Sequence, residues 1–527
     1  LAKMFLPKST AFNTNAYNVW LVIFVAISTI ASAYGLAIIG STVGQPSFYK
    51  YFNLATAGEP GYHHTSNMIG ALNGVNSGGA VVGALFQAWS SDYYGRKYTL
   101  LIGCCVLIVG GAIGAGSVHM AMFLVGRGVA GAGSAILTTV VPIYQAEVST
   151  PETRGAMVAV TGIMYAVGYS LSGWLGYACY FTSDTASYAN FAWRFPLAIQ
   201  CLFPLIVLAG SKLIPFSPRW LLSQGRRDEA FEIIRRLHKT KDDVHDARAH
   251  QEFYMMEKQF EHDRSMNVRP FELFRTKPNL RRAATAFMLM WGNQFLAVFV
   301  LANYGVLIYA SLGFAGSIPL LLNACWDSFT LIGNTWTALY VDRVGRRTCL
   351  LIGSTGCLVC LIFEAALTAE YATSGYKPGL RAAVFFVFFF IFWWCFFMDA
   401  TQFVYLSEIF PNHLRSQGVA LGMIAFYLSS EIVLVATPVA MVEIGWRFYL
   451  VFIIPSGVYI PIIYLFFPET KGRTLEEIGG LFGDEANVMT HWHDLGEEER
   501  ARLAQEALKE TGHDQELKPA TLQDEGA

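Results

Sequence analysis

Twelve predominantly apolar segments alternate with polar stretches along the chain. Because a hydrocarbon core about 30 Å thick is crossed by about 20 helical residues, each segment is long enough to span a bilayer. The pattern predicts spans at approximately 17–40, 67–90, 97–117, 120–143, 156–180, 193–214, 283–312, 316–341, 348–369, 382–408, 416–440 and 447–467. We therefore expect an all-α membrane protein with twelve transmembrane helices in two groups of six.

Polar stretches divide this pattern into larger units. One of them separates the sixth and seventh spans and has helical patterning in "RRDEAFEIIRRLHK". The predicted division is an N-terminal stretch 1–16, a six-helix bundle 17–214, a cytosolic helical linker 215–282, a second six-helix bundle 283–467 and a cytosolic tail 468–527.

Composition supports lipid as the solvent of most of the chain. Of 527 residues, 54% are hydrophobic and 14% charged, against roughly 25% charged in soluble domains. A net charge of −2 leaves no basic surface for nucleic acid. The sequence has no phosphate-binding loop, nucleophile elbow or metal-ligand cluster. We expect a protein that is not an enzyme, uses no cofactor or metal, and has lipid and a small solute as partners.

Lysine and arginine concentrate in the loops on one side of the predicted membrane. They are Lys3, Lys8, Arg96, Lys97, Arg154, those of 219–282, Arg343, Arg346, Arg347, Arg415, Lys471 and Arg473. The alternate loops 41–66, 179–192 and 370–381 are poor in cations. By the positive-inside rule both termini are cytosolic. We further expect a plasma-membrane protein that functions as a monomer.

Two charged motifs recur at equivalent places in the two groups of helices. "DYYGRK" begins at Asp92 and "DRVGRR" at Asp342, each between the second and third span of its group. The spacing Glu-x6-Arg also occurs twice, at Glu147 with Arg154 and at Glu408 with Arg415. This is the pattern of parallel repeats, and such acids and arginines can pair between helices at the cytosolic rim.

These motifs, with "GRGVAGAGSAILTTVVPIYQAEVSTPETRG", "WRFPLAIQ", "PFSPRWLLSQGR" and "PETKGRTLEEI", resemble the signature set of the sugar porter family of the major facilitator superfamily, especially its fungal members. The resemblance implies two six-helix bundles around a central site, with alternating access. It also implies two cytosolic charge networks, formed by Asp92, Arg96, Arg127, Glu147 and Arg154 and by Asp342, Arg346, Glu408 and Arg415. Phe216 stands where the family has an acid.

Polar residues near the bilayer midplane are the candidates for binding solute, since they face a cavity or stay unsatisfied in lipid. The candidates are Asn293, Gln294, Asn303, Tyr304, Asp399 and Gln402. Several polar family positions are lost here, with Phe299 in place of an asparagine, Gly162 in place of a glutamine and Phe403 in place of a tryptophan. The expected solute is a monosaccharide, disaccharide, polyol or sugar acid.

The acids of the predicted spans leave the energy source open. Proton-driven family members carry an aspartate in the first helix, but no acid lies between Tyr17 and Tyr51 in this chain. Asp399 and Asp327 are the candidate proton sites, because acids inside membranes commonly mark ion or proton pathways. Proton symport and uniport both remain open, as does a nutrient sensor that binds sugar without transporting it.

Overall fold

The computed structural model describes residues 16–56, 58–149, 154–182, 190–238, 249–250, 252–254, 256–258, 272–374, 376–411, 414–471, 473 and 475–483. The side chains of Arg154 and Asp342 lie outside the described set, so the pairing predicted for these two residues does too.

Twelve long helical segments dominate the described residues. They are α1 (Ala16–Val43), α2 (Tyr62–Tyr93), α3 (Gly95–Ala115), α4 (Met120–Val148), α5 (Arg154–Tyr180), α6 (Phe191–Ile199 and Leu202–Ala209), α7 (Lys277–Gln294 and Val298–Ser311), α8 (Ile318–Val344), α9 (Arg346–Ser374), α10 (Lys377–Trp393 and Asp399–Glu408), α11 (Arg415–Glu443) and α12 (Leu450–Phe466). Ten are long and apolar enough to cross a membrane. The other two, α5 and α8, have 27 residues each.

Several helices extend beyond the apolar runs that predict them. The seventh begins at Lys277 rather than at 283, because the Thr276 side chain accepts a hydrogen bond from the Asn279 amide and Pro278 occupies the first turn. The fourth continues to Val148 rather than ending at 143. Helical hydrogen bonding does not stop where the hydrocarbon ends, so hydropathy alone underestimates helix length.

Two helices are interrupted within the predicted membrane. In α7 the interruption follows Gln294, and Ala297 adopts a left-handed backbone with φ +67°. In α10 one π-helical turn, Trp394–Met398, directly precedes Asp399. Such interruptions are tolerated at membrane depth only where protein or a cavity surrounds the backbone, and π-turns are frequent at functional sites.

The two halves, α1–α6 and α7–α12, meet chiefly along two seams, α2 against α11 and α5 against α8, and α1 also contacts α7. Glycines permit the close approach at both. A Cβ on Gly70 would lie 2.8 Å from the Val435 carbonyl oxygen, and one on Gly173 would lie 2.8 Å from Ala324 Cα. We call the side bearing the turns at Asp92 and Asp342 the turn face, and the other side the opposite face.

Candidate functional site

The charge network predicted for the first half centres on Glu147 at the end of α4. Arg96 donates from Nε to Glu147 Oε1 at 3.0 Å and from Nη1 to Asp92 Oδ1 at 3.2 Å. Ser217, which follows α6, donates its hydroxyl to Glu147 Oε2, and Trp220 donates to the Asp92 carbonyl at 3.0 Å. The linker segment therefore binds the same acid, Glu147, as the arginine of the turn does.

The second half repeats this arrangement around Glu408. Arg346 binds both carboxylate oxygens, from Nη2 at 2.8 Å and from Nε at 3.1 Å. Thr470, which follows α12, donates to Glu408 at 2.7 Å, and Glu469 accepts the Arg346 amide at 2.8 Å. Arg415 begins α11 at the same face. Sequence reasoning missed Ser217 and Thr470, although both stand in recognised motifs.

Phe216 substitutes an aromatic ring for the family's acid, and it retains contacts with cations. The ring stacks on Trp220 at 5.5 Å and meets Tyr98 edge-on at 5.4 Å. Lys97 Nζ lies 5.0 Å and the Arg226 guanidinium 5.6 Å from its centroid. A hydrogen bond to the Glu229 carboxylate raises the pKa of Arg226 further, so this residue remains a cation. Attraction to the π face replaces an ion pair here.

The structure corrects the placement of Arg127. This residue is near the start of α4, 20 residues from Glu147, which corresponds to about 30 Å of helix at about 1.5 Å per residue. It is buried, and its Nη1 donates to the Gly35 carbonyl at 2.8 Å. Arg127 therefore lies toward the opposite face and outside the network at the turn face.

Two candidate binding residues, Asn293 and Gln402, belong to a hydrogen-bonded network inside the second half. Asn293 donates to Gln402 at 2.8 Å and accepts from the Tyr459 hydroxyl at 2.9 Å. Both amides are fully buried. Gln294 accepts from Ser430 at 3.1 Å, whereas its Nε2 has no partner among the described residues. The Gln294 amide therefore retains a donor without a partner among the described residues.

Asn303 and Tyr304 lie in the part of α7 nearer the opposite face. Asn303 donates to the Phe299 carbonyl of its own helix at 3.0 Å. The Tyr304 hydroxyl accepts from Asn73 of the first half at 2.8 Å and donates to the Leu434 carbonyl at 2.7 Å. Tyr304 thus links the two halves.

Asp399 lies where both halves contribute polar groups. It accepts from Asn334 of α8 at 2.9 Å, and the hydroxyls of Tyr165 and Tyr169 on α5 are close enough to interact with it electrostatically. All four side chains are partly exposed. Asn334, Tyr165 and Tyr169 were not expected from the sequence, because single polar residues in apolar helices carry no periodic signal.

Asp327 is buried in the α5–α8 seam, with 1% of its surface exposed. It accepts from Asn323 at 3.1 Å, and its other carboxyl oxygen has no partner among the described residues. A Cβ on Gly173 of the first half would lie 2.9 Å from the carboxyl group. Asp327 is therefore held against the other half, and Tyr169 interacts electrostatically with it as well as with Asp399.

Polar links between the halves also occur toward the opposite face. Trp174 donates to Ser328 at 2.9 Å across the α5–α8 seam. His63 Nε2 lies 3.2 Å from Glu443, between the ends of α2 and α11. At Gly162, nearer the turn face on α5, an added Cβ would meet no atom of the described residues within 4 Å. This geometry is that of two halves closed at the opposite face.

Two six-helix halves enclosing polar groups at mid-depth define a membrane transporter of the major facilitator fold. The family model "Sugar (and other) transporter" matches residues 21–482, so the chain belongs to that family, as the sequence motifs predict.

Comparisons with individual proteins agree with this assignment. The chain is 30% identical to the MFS-type transporter criB of Aspergillus cristatus, covering 92% of this chain and 96% of the relative. It is 28% identical to the sugar transporter STL1 of Saccharomyces cerevisiae, covering 86% and 80%. The partially occluded inward-open structure of the xylose transporter XylE from E. coli superposes with a TM-score of 0.72 at 21% identity, covering 87% and 100%. The relatives are transporters, which confirms that the chain is not an enzyme and gives no support to a sensor.

Proposed function

We propose that this protein is a secondary transporter that moves a sugar or sugar-like solute by alternating access. The solute classes are a monosaccharide, disaccharide, polyol or sugar acid. Relatives named for such compounds include a high-affinity glucose transporter of Kluyveromyces lactis, 26% identical, and a quinate permease of Neurospora terricola, 29% identical. The observation that carries the proposal is the polar cluster of Asp399, Asn334, Tyr165 and Tyr169 between the halves.

This cluster suits a hydroxylated solute for a simple chemical reason. The carboxylate of Asp399 accepts hydrogen bonds, the hydroxyls of Tyr165 and Tyr169 donate and accept, and the amide of Asn334 does both. Donors and acceptors that converge from both halves let one bound molecule contact each half at once. Binding can then favour a state in which the halves have closed around it.

Uptake by purified protein in liposomes tests the proposal against a panel of labelled hexoses, pentoses, polyols and sugar acids. Asp399→Asn keeps the shape of the side chain and removes its charge, and we expect at least a tenfold rise in half-saturation. Glu364→Gln is the matched control, because Glu364 is a buried acid bonded to Tyr449 within one half. Absence of uptake for every compound would contradict transport. An unchanged half-saturation in Asp399→Asn would contradict the site.

The energy source is proposed as proton symport through Asp399 or Asp327, with uniport as the alternative. The proton:xylose symporter XylE shares the fold. Here α1 lacks an acid, so any coupling acid must lie elsewhere. Uptake at pH 5 and pH 8, with and without a protonophore, separates the two mechanisms. Uptake unaffected by the protonophore would reject symport.

The distribution of basic residues supports cytosolic termini and the division of the chain into two bundles, a cytosolic linker and a cytosolic tail. We propose a monomer in the plasma membrane. Epitope tags at each end, probed before and after permeabilisation, test the orientation.

A further inference from the structure

Arg127 is a buried cation to which the described part of the chain gives one hydrogen bond. Its side chain is 3% exposed. Nη1 donates to the Gly35 carbonyl at 2.8 Å, whereas Nε and Nη2 are buried and have no partner among the described residues. Removing guanidinium donors from water without acceptors is costly, so an acceptor from outside the polypeptide would stabilise this site.

The two unpartnered nitrogens define the shape of that acceptor. Arg346 uses its Nε and Nη2 to hold both oxygens of Glu408, and Arg226 uses the same pair to hold both oxygens of Glu229. This side of a guanidinium matches a planar carboxylate. Arg127 therefore presents the edge with which other arginines of this chain bind carboxylates.

Among the described residues, the surroundings of Arg127 add a second donor, and Tyr304 rather than an acid acts on the guanidinium electrostatically. The Gln200 amide, whose Nε2 also lacks a partner among the described residues, reaches the same glycine, 2.2 Å from where a Gly35 Cβ would be. Glycine at position 35 supplies no carboxylate of its own. The bonded Nη1 of Arg127 on α4 and the unpartnered Gln200 amide, which lies between the two parts of α6, thus both reach Gly35 of α1.

The site lies against the seam that must open. Tyr304 of the second half interacts electrostatically with Arg127, and its hydroxyl accepts from Asn73 across the halves. Alternating access requires α7 to withdraw from the first half, and this movement would remove the cover of Arg127 and expose it to the opposite face.

We propose that Arg127 binds a carboxylate through Nε and Nη2. This inference rests on the proposed transport function and narrows its substrate class to polyhydroxy acids, whose own carboxylate occupies the site. A small free carboxylate bound together with an uncharged sugar is the other source of the same chemistry.

The test uses D-glucuronate and D-glucose, which differ in a carboxylate against a hydroxymethyl group. In liposomes containing the full chain, glucuronate should be transported with at least about tenfold lower half-saturation than glucose. Arg127→Gln should abolish that preference, and Arg127→Lys should restore part of it, since lysine keeps the charge without the planar fork. If instead added acetate stimulates glucose uptake and Arg127→Gln removes the stimulation, the free carboxylate is the ligand.

Gly35→Asp provides a control that keeps the arginine. The new carboxylate would lie beside Arg127 after the Gln200 amide moves aside, and it should weaken glucuronate binding while leaving glucose unaffected. An unchanged preference in both Arg127→Gln and Gly35→Asp, with no effect of acetate, would overturn the proposal. If wild type transports neither sugar, the site is judged by thermal stabilisation of purified protein: glucuronate must stabilise wild type but not Arg127→Gln.

Discussion

Phe216 offers a direct test of how this chain holds its linker to the membrane domain without the family's acid. Phe216→Ala removes the ring that stacks on Trp220 and contacts Tyr98, and it leaves Lys97 and Arg226 without their π face. Phe216→Leu keeps apolar volume but removes the ring quadrupole. Phe216→Glu restores the family's acid.

The expected losses follow from these contacts. The cation–π contact with Lys97 contributes about 0.5–1 kcal/mol, and the two aromatic pairs contribute about 0.5–1.5 kcal/mol each. The contact with Arg226 is screened by solvent, because this cation is exposed. Because Phe216 is half-buried, we expect Phe216→Ala to cost about 2–3 kcal/mol. Phe216→Glu should cost less, since an ion pair with Lys97 returns up to about 1 kcal/mol.

Thermal unfolding of the detergent-purified variants measures the order of their stabilities. Uptake in liposomes shows whether the contact between the linker and the membrane domain matters for transport. A double-mutant cycle with Lys97→Met isolates one cation–π contact. If Phe216→Leu equals wild type and the cycle shows no coupling, the cations do not recognise the ring. If Phe216→Glu is the least stable variant, a glutamate at this position cannot replace the contacts of the Phe216 ring.

Two further substitutions test the seam and the buried network. Gly173→Val should block closure at the opposite face and reduce uptake at least tenfold, because its Cβ would lie 2.8 Å from the Ala324 backbone. Gly162→Val on the same helix should be tolerated, because a Cβ there meets no described atom within 4 Å. Equal loss of uptake in both variants would refute the argument. Tyr459→Phe leaves the Asn293 amide oxygen without its donor at 2.9 Å and should lower the free energy of unfolding by about 1–3 kcal/mol, whereas an unchanged melting temperature would show that the hydroxyl contributes nothing.

Hydropathy and repeated motifs predicted the twelve helices and their family, because lipid demands long apolar helices and a duplicated unit repeats its charges. Neither hydropathy nor the repeated motifs predict the interruptions in α7 and α10. Ala297 does not signal a left-handed residue in the way glycine does, and nothing in "WCFFM" indicates a π-turn. Both depend on packing against other helices rather than on local propensity.

The sequence likewise predicted only part of the candidate site. The position of Asp399 along the chain predicts that it lies in the interior. Position alone does not indicate that α8 supplies Asn334 or that α5 supplies Tyr165 as its neighbours. The predicted placement of Arg127 in the cytosolic charge network was wrong, because residues of one sequence motif were assumed to lie close together in space. A helix of 29 residues carries the ends of one motif to different faces of the membrane.

The repeat explains more than the paired turns. In each half, the acid that ends the fourth helix binds the arginine of the turn. The same acid also accepts a hydrogen bond from a hydroxyl of the segment after the sixth helix, from Ser217 to Glu147 and from Thr470 to Glu408. The linker and the tail therefore occupy equivalent positions in the duplicated unit. Movement of either half at the turn face must carry its segment along or break a charge-assisted hydrogen bond. This gives a physical reason why one chain needs the charged turn twice: each copy joins three elements of its own half into one body that can move against the other.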